Sequence, residues 1–285
     1  QILQSLPQAI QTMLDPAECG PACLSLCQDV QGETFDYPEE FFKERIHNIR
    51  RPRPDDFQIK QAVEKIKNSK KPIIISGGGV FYSDAMDELG NFAIKHNIPV
   101  TQTVMGYSTM KRDHSHFLGP IGGLGGKAAN NLAKETDLAI CIGTKLADFT
   151  TGSWANFENP EFKLVSINIA RHDANKHLAE AVIGDAKVTL TELSNAIGDW
   201  KSSDSWHKKS QVELKSWNEY VDKESGPTNQ ELPSYAHAVG AIYRNSDPTD
   251  IAVTAAGGLV GEVVQVWRPK ELNTHETEWG FSCMS

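Results

Sequence analysis

The residues best equipped for chemistry are three sets of glycines and two pairs of histidines. Gly77-Gly78-Gly79 ends an apolar run, Gly123-Leu124-Gly125-Gly126-Lys127-Ala128 satisfies G-x-G-x-x-A, and Gly257-Gly258 follows a third run. Glycines after a strand let backbone amides approach an anion, and the helix that follows adds the positive end of its dipole. The dinucleotide fingerprint needs its first glycine to end a strand. The residues ahead of Gly123, HSHFLGPIGG, read as a loop, and Tyr82 stands where the Gly77 turn needs a small residue. Both turns therefore read as turn chemistry, with the Gly123 set at a helix start that could face an anion.

His114 and His116 form H-x-H, and His172 lies close to His177. A metal centre needs three or four converging ligands. No HExxH, paired CxxC or carboxylate-rich loop accompanies either pair, so all four read as loop histidines. Cys19, Cys23 and Cys27 are spaced C-x3-C-x3-C, which fits neither structural zinc nor a ferredoxin run, and they read as small buried hydrophobes. With Cys141 and Cys283 they make five, an odd number that suits free thiols in a reducing compartment. Gly184-Asp185 and Gly198-Asp199 open like a magnesium-diphosphate motif, but no paired asparagines follow, and both read as ends of elements. No G-x-S-x-G elbow, Walker A or kinase signature is present.

A net charge of −9 argues against a nucleic-acid or anionic-membrane surface, because phosphate binding needs clustered Lys and Arg. The basic cluster Arg50-Arg51-Pro52-Arg53 is short and broken by proline, so it reads as a solvated linker. No apolar run approaches the roughly 18 residues of a membrane span, and the start lacks the features of a secretory signal. Cytoplasm is the expected compartment. The first residue is Gln1 rather than Met, and the last segment is too short for a complete domain, so the chain reads as a fragment.

The elements that must carry these residues follow from periodicity. Helix is expected over 1–14, a strand at Ala22–Cys27, and an extended linker from Thr34 to Pro54 marked by Pro38, Pro52 and Pro54. Asp55 or Asp56 caps a helix over Phe57–Asn68. Strands at Pro72–Ile75, Ile98–Val104, Asp137–Gly143, Phe162–Ile169 and Ala181–Gly184 alternate with helices at Asp84–His96, Ala128–Ala133 and Val188–Ile197. This alternation predicts an α/β fold with a doubly wound parallel sheet. Residues 200–231 form a connecting segment whose one helix docks Trp200, Trp206 and Trp217 on a neighbouring surface. A helix at Tyr235–Tyr243, a strand at Asp250–Ala255 and a helix at Val260–Trp267 begin another unit. The expected domains are thus 1–50, 51–199, 200–231 and 232–285.

The order of these parts carries a resemblance. Gly20-Pro21-Ala22-Cys23-Leu24 with Gln28-Asp29-Val30-Gln31 resembles the closing strand of the pyrimidine-binding domain of thiamine-diphosphate enzymes. Lys71–Gly79, Ile98–Thr101, Gly122–Asn130, Thr136–Gly143 and Ile183–Asp185 are similar, in order, to their central domain. Ala147–Trp154, Ala255–Glu262, Thr274-His275-Glu276 and Phe281–Met284 most resemble the trihydroxycyclohexane-1,2-dione hydrolase family of myo-inositol catabolism. The fold that this implies is the central domain flanked by incomplete α/β domains.

The resemblance implies thiamine diphosphate and Mg2+ as cofactors and a cyclic 1,2-diketone opened to 5-deoxyglucuronate. It places Gly257, Gly258 and Leu259 near the cofactor's phosphates, and Met284 as the apolar prop beneath its bent form. Ser285 departs from the glycine expected there. The family's activating glutamate and its Gly-Asp-Gly metal motif are expected upstream and downstream of this chain, so these residues alone are expected to bind no cofactor and show no turnover. A homodimer or homotetramer is implied. The alternatives are an acetolactate-synthase-like carboligase, a sirtuin-like NAD or ADP module resting on the glycine turns, and a structural, subunit-contacting domain.

Overall fold

The computed structural model describes residues 1–278 and 283, in two units, Gln1–Pro52 and Arg53 onward. In the first unit α1 spans Ile2–Leu14, with Pro7 in its second turn. The expected strand at Ala22–Cys27 does not form. A strand needs a neighbour to take its N–H and C=O groups, and none of the described residues supplies one. Leu26 and the thiols of Cys19, Cys23 and Cys27 are accordingly exposed, which corrects the expectation that those cysteines are buried.

The second unit opens with α2 (Asp56–Asn68). Asp55 caps it, its carboxylate accepting the Phe57 amide at 2.8 Å, and Ile59, Ala62 and Ile66 form its buried face. A six-stranded parallel sheet follows: β1 (Pro72–Ser76), β2 (Val100–Gln102), β3 (Phe117–Pro120), β4 (Leu138–Ile142), β5 (Lys163–Asn168) and β6 (Glu180–Ile183). Their spatial order is β3-β2-β1-β4-β5-β6, with Ile74 opposite Val100 on one side and Ile140 on the other. Every residue of β1 and β4 is buried, as continuous β-branched runs require when helices cover both faces.

Between the strands lie α3 (Gly79–Tyr82), α4 (Met86–His96), α5 (Lys127–Glu135), α6 (Asp148–Thr151) and α7 (Arg171–Ala174), and α8 (Ala186–Ile197) follows β6. Right-handed crossovers put α2, α4 and α8 together on one face and α5 on the other. Helix α4 ends at Asn97, whose left-handed backbone (φ 56°) asparagine tolerates well. Asp185 caps α8 by accepting the Lys187 and Val188 amides, so the Gly-Asp pair there is a helix start.

One strand was not legible. β3 lies within HSHFLGPIGG, where Gly119 and Pro120 signal a loop. It survives because it is an edge strand, which tolerates a proline and the register shift seen against Val100 and Thr101. The glycine loop after it therefore does connect a strand to a helix.

Helix α9 (Asp204–Glu224) crosses the α5 face. Trp206 donates its indole N–H to the Pro72 carbonyl at 2.8 Å, and Trp217 packs on Gly126. The chain closes with α10 (Tyr235–Asn245), β7 (Ala252–Thr254), α11 (Gly258–Val266) and β8 (His275–Thr277). β8 pairs in parallel with β7, Thr254 opposite Thr277.

Candidate functional site

In open α/β sheets, ligands settle beyond the carboxyl ends of the strands where the order reverses, here between β1 and β4. That crevice is closed by its own glycines. A Cβ on Gly77 would lie 2.4 Å from the Gly143 carbonyl oxygen, and one on Gly143 (φ 59°) would lie 2.5 Å from the Gly79 Cα. The Gly79 amide donates to the Gly143 carbonyl at 2.9 Å. These glycines let two turns touch, and the amides of Gly77 and Gly79 are engaged by the Ile142 and Gly143 carbonyls.

The G-x-G-x-x-A loop is spent in the same way. Gly123 N–H bonds Phe149 O at 2.7 Å, Gly125 N–H bonds Gly122 O at 2.9 Å, and Gly126 N–H bonds Pro120 O at 2.7 Å. Asn130 grips Gly122 from both sides, accepting its amide and donating to its carbonyl. Trp217 covers the start of α5.

Gly257 and Gly258 differ. The Gly257 backbone (φ 149°, ψ −176°) belongs to a region that only glycine enters readily, and a Cβ at either position would meet none of the described residues within 4 Å. Among the described residues no side chain caps α11, and no acidic residue stands in its first turn, so its leading amides lack intrahelical partners and its positive end is left without a carboxylate of its own. Two apolar contacts aim the helix: Val260 and Val264 pack with Val104 and Leu124, while Val263 and Val266 pack with Val221, Val239 and Tyr243. Leu259 is about half exposed at the same terminus. At the carboxyl ends of β7 and β8, the buried hydroxyls of Thr254 and Thr277 have no hydrogen-bond partner among the described residues. An open helix start beside unpartnered hydroxyls suits a diphosphate. Met284, the expected prop, lies outside the described residues.

The histidines separate into different roles. His116 is buried and stacks on His207 with ring centroids 4.2 Å apart, its Nε2 3.1 Å from the side-chain Oδ1 of Asn97. Burial, with the neighbouring His207 and His114, drives its pKa down to about 4. The stacked rings belong to the packing of α9 against the edge of the sheet, so His116 is a core residue of a turn rather than a solvated loop histidine. His172 and His177 are exposed, and His177 lies edge-on against Trp154.

Sequence reasoning missed the pairing of two residues where β8 meets the turn after β2. His275 on β8 is buried, with its ring edge-on to Tyr107 at 5.3 Å, and desolvation lowers its pKa to about 4. Burial likewise raises the Tyr107 phenol. The alternation in His275–Thr277, buried, exposed, buried along the strand, is the signal that could have found it.

Comparison with known proteins agrees with this geometry. Residues 59–193 match the family described as thiamine pyrophosphate enzyme, central domain. Over its whole length the chain is 36% identical to a 3D-(3,5/4)-trihydroxycyclohexane-1,2-dione hydrolase of Clostridium perfringens. It is 37% identical to proteins of the same name from Clostridium botulinum and Bacillus licheniformis. It spans about half the length of these curated relatives, 48% of each. Residues 59–193 thus resemble the central domain of the thiamine pyrophosphate enzymes, within a chain that is similar to these relatives along its whole length.

Proposed function

We propose that the natural protein containing this sequence is a thiamine-diphosphate- and Mg2+-dependent hydrolase that opens trihydroxycyclohexane-1,2-dione to 5-deoxyglucuronate in myo-inositol catabolism. The observation that carries this reading is the extent of the match to relatives of that name: it runs through all of residues 1–285, not only through the central domain. A carboligase of the same superfamily is disfavoured by that extent, and an NAD or ADP module by the internally bonded glycine loops.

Within this reading, Gly257 supplies the backbone turn, and the amides of Gly258 and Leu259 hold the cofactor's diphosphate at the start of α11. Bound thiamine diphosphate supplies a carbon nucleophile for the diketone carbonyl. The central sheet serves as the scaffold, its sealed switch point fixing the Val104 and Leu124 surface on which α11 rests. Met284 is assigned to propping the cofactor. A cytoplasmic homodimer or homotetramer is the expected setting. Among the described residues, no helix is long and apolar enough to cross a membrane.

The test is a ring-opening assay on the natural protein with thiamine diphosphate or Mg2+ omitted in turn. Loss of turnover on either omission is expected, and turnover that persists without thiamine diphosphate refutes the proposal. Residues 1–285 alone are expected to show none.

A further inference from the structure

A second site of opposite polarity to the chain as a whole lies away from α11's open end. A cavity of about 590 Å3 opens where the turn at Arg112 meets the carboxyl end of α9 and helix α10. It is lined by Arg112, Tyr243, Arg244 and Arg268, with Asp113 and Asp222. In a protein of net charge −9, three guanidiniums around one cavity are a local reversal of sign.

The cations are organised around a single ring. The Arg112 and Arg268 guanidinium carbons lie 5.9 and 5.8 Å from the Tyr243 ring centre, and the Lys270 ammonium lies 4.7 Å from it. The Tyr243 hydroxyl accepts from Arg112 and donates to the Arg268 carbonyl at 2.9 Å, so the ring is held from both sides. Part of this charge has an internal use. Arg244 donates to the Ser225 carbonyl at the end of α9, and Lys270 donates to the carbonyls of Tyr243 and Ser246 at the end of α10, as cations do at helix carboxyl termini.

Capping does not account for the remainder. A guanidinium has five N–H donors. Side-chain hydrogen bonds use one on Arg112, one on Arg244 and two on Arg268. Arg268 is 8% exposed, and its Nε is buried with no partner among the described residues, which is costly unless something accepts from it. Of the two carboxylates, Asp222 is paired with Arg268, while Asp113 acts on Lys111 and His114. The side chains that carry these donors line one cavity.

We propose that this cavity binds a small phosphate-bearing anion, whether free phosphate or the phosphate end of a nucleotide. Planar guanidiniums match tetrahedral oxyanions by paired N–H···O bonds. Such a ligand would join the turn before β3 to α9 and α10, clamping the C-terminal elements that carry α11 onto the central sheet.

Calorimetric titration of the 285-residue chain at low salt with inorganic phosphate, pyrophosphate and ADP tests this, with sodium chloride at matched ionic strength as reference. One saturable site per chain is expected for at least one of the three. Arg112→Gln and Arg244→Gln should each weaken it tenfold or more, and Gly257→Ala should leave it unchanged. ADP binding well above phosphate identifies a nucleotide source, and equal binding a free anion. No saturable heat from any probe overturns the proposal. So does heat that survives both arginine variants or vanishes in Gly257→Ala, which would place the anion at α11. Circular dichroism and urea midpoints on each variant separate lost binding from lost fold, and the α11 reading stands or falls independently through the Gly257 variant.

Discussion

The glycines of the central sheet and those before α11 look alike in sequence and do opposite things in space. Gly77, Gly79 and Gly143 sit where two backbones touch, and a methyl group on Gly77 or Gly143 would collide with main-chain atoms at 2.4–2.5 Å. Gly257 and Gly258 sit where a methyl group would touch none of the described residues within 4 Å. In the first region the missing side chain is needed for packing, and the amides bond to the protein itself. In the second it leaves amides open to whatever approaches. A glycine turn after a strand is therefore a ligand site only when its surroundings stay back.

Substitution sharpens the contrast most at Gly143. Gly143→Ala adds both a positive-φ strain and a collision with the Gly79 backbone, which cannot yield as a side chain can. A loss of about 4 kcal/mol or more, or of cooperative unfolding altogether, is expected in urea denaturation. A variant within about 1 kcal/mol of the parent would break the closed-turn reading.

Acid probes the packing around both regions. His116 beside the sheet edge and His275 on β8 are held near pKa 4, against 6.5 for the ordinary group. Between these values the unfolded chain binds more protons than the folded one, so stability is full above about pH 6.5 and falls as pH drops toward 4. Urea midpoints across that range should decline, and His116→Gln should flatten the decline. An unchanged slope in that variant would assign the acid sensitivity elsewhere.

Smaller effects come from the looser positions. Gly126→Ala meets the Trp217 indole at 2.7 Å, a side chain that can shift, and should cost about 1–3 kcal/mol with a change in tryptophan fluorescence. Gly257→Ala should cost about 1–3 kcal/mol through its backbone alone, with no clash to relieve. Gly258→Ala should change stability by less than about 1 kcal/mol in either direction. A large loss there would mean that the α11 terminus is packed, not open.

Much of the central sheet was legible because its strands are continuous apolar runs: Pro72–Ile75 and Asp137–Gly143 have no other stable place than between helices. The start of α2 was legible at Asp55 or Asp56, and Asp185 as the end of an element, for a local reason, since a cap acts on amides two or three residues away. β3 was not, because Gly119 and Pro120 break a strand locally and only an edge position forgives them. Ala22–Cys27 failed the other way: the pattern is that of a strand, but pairing is a property of two segments. His207 stands some ninety residues from His116, and no spacing rule joins them.

By itself, then, the sequence determined the α/β alternation, the order of the parts and the family resemblance, all of which rest on local periodicity and on the succession of short segments. Tertiary structure alone decided which glycines are filled and which are open, which histidines are buried, and where arginines from three elements share a cavity. The reason is distance along the chain. Propensity and capping act over a few residues, whereas the approach of Gly143 to Gly77 or of Arg268 to Arg112 is set by the packing of everything between them.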